Sequence, residues 1–123
     1  MFWDVEFEDA FEAEFRELDR EVQDALLAVA KLLVDYGPQL GRPYADTLKG
    51  SKHANMKELR FEATDGEWRI AFAFDTRRKA ILLVAGDKSG GSQKRFYQRF
   101  IALADRRFSD HVKKLKATTK KEN

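Results

Sequence analysis

The sequence predicts a small α+β domain, an antiparallel sheet packed against N-terminal helices with a further helix at the C-terminus. Three observations carry this expectation. A helical repeat of apolar residues fills residues 11–36, a two-residue turn signal at Asp65-Gly66 separates two strand-like stretches, and an unbroken apolar run follows at Ala80–Ala85. A chain of 123 residues is expected to build one core in one domain.

The elements follow in order. Trp3, Val5 and Phe7 alternate with Asp4, Glu6 and Glu8, the period of a short strand. Phe11, Phe15, Leu18, Val22, Ala25, Leu26, Val29, Leu32, Leu33 and Tyr36 recur at spacings of three and four, which makes an amphipathic helix. Asp19-Arg20-Glu21 divides it in two, with Asp19 as N-cap, and Gly37-Pro38 ends it. Residues 39–55 read as loop, with Gly41, Pro43 and Gly50. Met56–Thr64 and Glu67–Asp75 read as a hairpin, because a type I′ turn needs positive φ at both central positions and Asp-Gly supplies it. Thr76-Arg77-Arg78 is a polar turn into a strand at Lys79–Ala85, whose apolar run implies cover on both faces. After a loop at Gly86–Ser92, helical spacing returns from Gln93 to about Lys114, with Phe96, Phe100, Leu103 and Phe108 on one side. The domain is placed at residues 1–115, and the lysine-rich residues 116–123 are expected to form a flexible basic tail.

Charge is divided along the chain. Met1 to Tyr36 holds eleven acidic residues against three basic ones, so the remainder is strongly basic although the whole sums to only +2. A basic side on a small protein attracts polyanions, nucleic acid first among them. The chain has no cysteine, which excludes a disulfide scaffold, a thiolate metal site and a cysteine nucleophile, and fits a cytoplasmic protein. The acidic N-terminus does not read as a signal peptide, and no apolar run is long enough to span a bilayer. His53 and His111 form no metal-ligand pattern, so neither a metal nor another cofactor is expected.

Pairing the hairpin through Asp65-Gly66 sets Glu62 opposite Arg69 and Arg60 opposite Ala71. Alternation then puts Arg60, Glu62 and Arg69 on one face, and Leu59, Phe61, Trp68, Ile70 and Phe72 on the core face. The first face, floored by Ala71 and Ala73, reads as a shallow basic concavity. Lys88 is expected to return beside Trp68 and Arg69. Clustered cations repel, and a phosphate or an RNA backbone is the usual reason for them. The alternative is ordinary surface pairing, Glu62 with Arg69 and Glu58 with Lys57 or Arg60. Lys57, Arg77, Arg78, Lys94, Tyr97 and His53 are further candidates for RNA contact, Tyr97 by stacking and His53 as a general base on an RNA hydroxyl.

The run Leu48-Lys49-Gly50 leading to Lys57-Glu58-Leu59-Arg60, then Trp68-Arg69-Ile70-Ala71-Phe72, then Leu82-Leu83-Val84-Ala85-Gly86-Asp87-Lys88, resembles the RelE/ParE superfamily of toxins, and within it the phage-derived, HigB-type branch. The resemblance covers residues 48–107. It implies a RelE-like fold, membership of a type II toxin–antitoxin pair, and mRNA cleavage in the ribosomal A site. It implies that Arg60, Arg69 and Lys88 line the active surface. It also implies, as partners, a cognate antitoxin of helix-turn-helix, HigA-like type, the ribosome and mRNA, and no membrane. Relatives continue with a second lysine and a Thr-Pro helix start where this chain has Ser89-Gly90-Gly91-Ser92-Gln93-Lys94, which leaves Lys94 without a matched role. The general base is unassigned.

RNA scission can use the substrate's own 2′-hydroxyl as nucleophile. The protein must then orient that oxygen, neutralise the phosphorane-like transition state and help the 5′-oxygen leave. Planar arginine forks suit phosphate oxygens, a nearby lysine could shuttle a proton, and the scheme requires no metal. Two other readings remain open, a ParE-like topoisomerase inhibitor and a basic RNA-binding module without enzymatic activity.

Overall fold

The computed structural model describes residues 2–122, with side chains as far as 118. Along the chain lie β1 (Val5–Phe7), α1 (Asp9–Arg16), α2 (Arg20–Tyr36), a 3-10 turn (Gly37–Gln39), β2 (Ala45–Thr47), β3 (Lys57–Ala63), β4 (Gly66–Phe74), β5 (Ala80–Asp87) and α3 (Gln93–Glu122). The five strands form one sheet in the order β1-β5-β4-β3-β2, with β1 parallel to β5 and the other pairs antiparallel. The expected meander and the split between α1 and α2 are present, and the N-terminal strand joins the sheet at its edge, parallel to β5. Glu8 rather than a short polar residue caps α1, its carboxylate accepting from Phe11 N–H at 3.0 Å.

The sheet separates two cores. On one face α1 and α2 bury Phe11, Leu26 and Leu33 against Leu59, Ile70, Phe72 and Leu82. On the other α3 lays Phe100, Ala104 and Phe108 over Met56, Ala71, Ala73, Ile81 and Leu83. Ala71 and Ala73 are therefore fully buried, and the concavity expected above them is filled by α3. Their small side chains are what allow a helix to lie so close to the sheet. Phe61 and Trp68, expected in the core, are only half buried. They stack on each other at 6.1 Å near the turn end of the hairpin.

Three departures from expectation matter for the site. The hairpin turn is centred on Thr64-Asp65, whose φ values are 49° and 59°, not on Asp65-Gly66. Gly66 opens β4, where a Cβ would lie 2.5 Å from the Asp87 carboxylate. The pairing consequently slides: Arg60 faces Arg69, and Glu62 faces Glu67. The face assignment survives, because the slide keeps the alternation in step.

The second departure is a β-bulge in β5. Phe72 pairs with Leu82, but Ala71 pairs with Val84, so Leu83 is the extra residue. The bulge reverses the alternation. Without it, Gly86 and Lys88 would share the face of Leu82 beneath α1 and α2. With it they join Arg69, which pairs with Gly86. The third departure is that β2 lies within the stretch read as loop, and that α3 runs on through Glu122, where a frayed tail was expected. Three residues are too short to show a period, and a long helix already nucleated propagates through exposed polar positions. Asn123 lies outside the described residues.

Candidate nucleic-acid interface

The candidate surface is built on β3, β4 and the end of β5, beside the start of α3. Arg60 and Arg69 stand directly opposite each other on one face, an arrangement that repulsion disfavours unless an acid lies between. Glu58 is that acid. It is two residues from Arg60 on the same face, and only 3% of it is exposed. Its Oε2 accepts from Arg60 Nε at 3.2 Å and from the terminal Nη2 at 3.0 Å. Its Oε1 accepts the Tyr97 hydroxyl at 2.9 Å and lies 4.0 Å from Arg69 Nε, too far for a hydrogen bond. Arg60 also lies 3.4 Å from Asp46 of β2, whose carboxylate in turn holds Arg42 at 2.8 Å.

Arg69 donates from Nη1 to the Trp68 carbonyl at 2.9 Å, while its buried Nε has no acceptor. Its side chain is 12% exposed, far less open than a solvent-facing strand position. Lys88 is held by its own N–H on the Glu67 carbonyl at 2.8 Å, with Nζ 3.9 Å from the Glu67 carboxylate. A cleft of about 280 Å³ opens here, lined by Arg60 and Arg69 with Pro43, Tyr44, Glu62 and Glu67. Gly86 lets α3 come down on this end of the sheet, since a Cβ there would meet the Phe96 ring at 2.9 Å. Tyr97, one residue along, thereby reaches Glu58. Burial, the neighbouring Glu58 charge and the hydrogen bond to it together raise the Tyr97 phenol above its ordinary range, against a smaller opposing pull from Arg69. Lys94 is exposed at the start of α3, on the rim of a groove it shares with Tyr97, Gln98 and Ile101.

The structure thus brings Arg60, Arg69 and Lys88 to one face, with Tyr97 and Lys94 at its border. It does not bring the other four candidates there. Lys57 is on the opposite face and donates to the Pro38 carbonyl at 3.3 Å. Arg77 and Arg78 sit at the far end of the sheet, Arg77 bonded to Asp75 and Glu6, Arg78 over the Trp3 ring at 4.8 Å. His53 lies against Phe108, its Nε2 3.0 Å from the Ser109 hydroxyl, in a loop that Asp105 ties to α3 through Ser51 and the Lys52 N–H. Of the alternative surface pairs, Glu62 with Arg69 does not form among the described residues, and Glu58 with Arg60 forms with its carboxylate buried and its guanidinium partly exposed. The residue that sequence reasoning undervalued is Glu58. Its place in the Lys-Glu-Leu-Arg run, on the face of Arg60, was the available signal.

The family model described as "Phage derived protein Gp49-like (DUF891)" matches residues 13–109. Two proteins of Mycobacterium tuberculosis named as candidate toxins are similar to the chain. HigB2 is 43% identical over 106 residues, which is 85% of this chain and 52% of that protein. HigB3 is 45% identical over 93 residues, 76% of this chain and 79% of that one. The chain therefore spans about half the length of HigB2. A mutant of the Escherichia coli toxin RelE, in the free state, superposes with a TM-score of 0.57 over 83% of this chain and 96% of that one. At 12% identity, that likeness is one of fold. Among the described residues no helix is long and apolar enough to cross a membrane.

Proposed function

We propose that this chain, which belongs to the Gp49-like, phage-derived family, is the toxin of a type II toxin–antitoxin pair and acts as a ribosome-dependent mRNA endonuclease. The observation that carries the reading is the pairing of Arg60 with Arg69 across the hairpin, with Lys88 brought to the same face by the β5 bulge. Two forks lining one cleft, with an ammonium on the same face of the sheet, suit a scissile phosphate. In the proposed reaction the 2′-oxygen bonds to phosphorus as the P–O5′ bond breaks. The 2′-hydroxyl loses its proton and the 5′-oxygen gains one. Arg69 and Arg60 hold the non-bridging oxygens as their charge grows. Lys88 supports the departing 5′-oxygen, and no metal takes part. Tyr97 and Lys94 extend the surface toward the flanking nucleotides by stacking and charge.

A cytoplasmic antitoxin partner follows from the same reading. Expression of the chain alone in a bacterial host is expected to arrest growth and translation, with rescue by co-expressed antitoxin. The decisive test is Arg69→Ala on translating ribosomes. Loss of a transition-state contact of about 3 kcal/mol lowers cleavage at least about a hundredfold. Because Arg69 is mostly buried beside Glu58, a fall of a few degrees in Tm is expected with it, well short of unfolding. A folded variant that cleaves near the wild-type rate would remove Arg69 from the active surface.

A further inference from the structure

We infer that Glu58 is a positioning residue for this cleavage, a buried carboxylate that aims the forks of Arg60 and Arg69 at the phosphate. The inference rests on the nuclease reading. A carboxylate that is 3% exposed is costly unless it is paired. Nothing in the local packing asks for a charge there, since Glu58 faces Ala71 across the ladder and lies on the α3 side of the sheet, where apolar side chains dominate. What the charge does is hold the inner edge of the Arg60 fork by hydrogen bonds and attract the Arg69 fork from 4.0 Å. Arg60 turns Nε and Nη2 to Oε2, and Arg69 turns Nε toward Oε1. The Tyr97 hydroxyl, from α3, fixes Oε1 from the other side. Arg69 gives Nη1 to the Trp68 carbonyl and lies beside the Tyr97 hydroxyl, Arg60 gives Nε and Nη2 to carboxylates, and both arginines line the cleft. A buried carboxylate behind two forks that line one cleft is the geometry that preorganised donors require.

A purely electrostatic role predicts the reverse outcome. Glu58 subtracts charge from a surface meant for a polyanion, so by attraction alone its removal would tighten RNA binding. The test is Glu58→Gln in the full chain, which keeps shape and removes charge. Cleavage on translating ribosomes should lose at least about tenfold in kcat while KM moves less than about twofold. Proton–nitrogen NMR of the arginine side chains should show faster exchange of the Arg60 Nε–H, and Glu58→Asp should restore part of kcat. A tighter KM with kcat unchanged would overturn the inference, showing that Glu58 only offsets charge. Should Glu58→Gln fail to fold, Tyr97→Phe serves in its place. It removes one hydrogen bond and keeps the ring, so a severalfold loss of kcat supports the role and an unchanged kcat overturns it. A wild-type chain that cleaves nothing brings down the nuclease reading and the positioning role together. A cleaving wild type with an equally active Glu58→Gln brings down the positioning role alone.

Discussion

The two ends of β4 carry charged clusters of similar make-up and opposite character. At the β4–β5 turn, Asp75 has no exposed side-chain surface and accepts from the Arg77 N–H at 2.9 Å, Arg77 Nη2 at 2.8 Å, the Lys79 N–H at 3.1 Å and His111 Nε2 at 2.9 Å. Glu6 takes the remaining reach of Arg77 and Lys79 at 3.2 and 3.0 Å. About 20 Å away along the strand, by the usual rise per residue, Arg69 Nε has no acceptor and Lys88 stands 3.9 Å from its nearest acid. The first cluster spends its donors on a turn and a helix. The second leaves its cations less fully paired, beside a cleft. A polar network fully satisfied from within is the mark of structure, whereas one with spare cationic donors is where an outside anion would complete it.

The largest expected effects separate the two ends. Lys88→Ala should match Arg69→Ala, with cleavage down roughly a hundredfold, and Arg60→Ala should lose less, because Arg60 is the more exposed and is shared with Asp46. Arg69→Lys should recover little, since an ammonium cannot reproduce a planar fork. If cleavage assays show Arg69→Lys close to wild type, shape at that end is irrelevant and charge alone matters.

Next in size is Asp75→Asn, which leaves Arg77 and His111 without their anion. Breaking such a buried pair should cost about 3 kcal/mol and lower Tm by roughly 10 °C. Activity per folded molecule should not change. A calorimetric melt with cleavage measured on the folded fraction decides this, and a loss of kcat would mean that the two ends are coupled.

The pH dependence of that end has a definite sign. Burial pushes the Asp75 carboxyl upward, but hydrogen bonds from His111 and Arg77 and from the backbone N–H groups of Lys79 and Arg77 outweigh it, and the net shift is downward. The stabilisation is therefore complete above the ordinary aspartate value of about 4 and is lost as the pH falls through the lower folded-state value. Melts between about pH 6 and pH 2 should show the gap between wild type and Asp75→Asn narrowing on the acid side. A constant gap would show that Asp75 titrates no differently when folded.

The smallest effect is expected at Arg77→Ala. Its side chain is 40% exposed, so the lost pairs should cost under about 1 kcal/mol. Cleavage and RNA affinity should stay at wild-type values. A clear fall in RNA affinity would extend the interface to the far end of the sheet and erase the contrast drawn above.

Much of this molecule was legible in the residues themselves. Periods of two and of three to four reflect local backbone geometry, so β1, the split between α1 and α2, the hairpin and the apolar central strand could all be read from spacing. Alternation likewise put Arg60 and Arg69 on one face and Leu59 and Ile70 on the other. Tertiary structure decided the rest. Two turn placements were open at Thr64-Asp65-Gly66, and the ladder that pairs Ala63 with Gly66 and Trp68 with Asp87 of another strand fixes which one forms. The bulge at Leu83 answers to packing on two opposed cores at once, and it alone turns Lys88 toward Arg69. Glu58 reads as a surface acid because its burial depends on α3, more than thirty residues away in sequence. Contacts between distant segments set register, bulges and the burial of charge, and no local pattern encodes them.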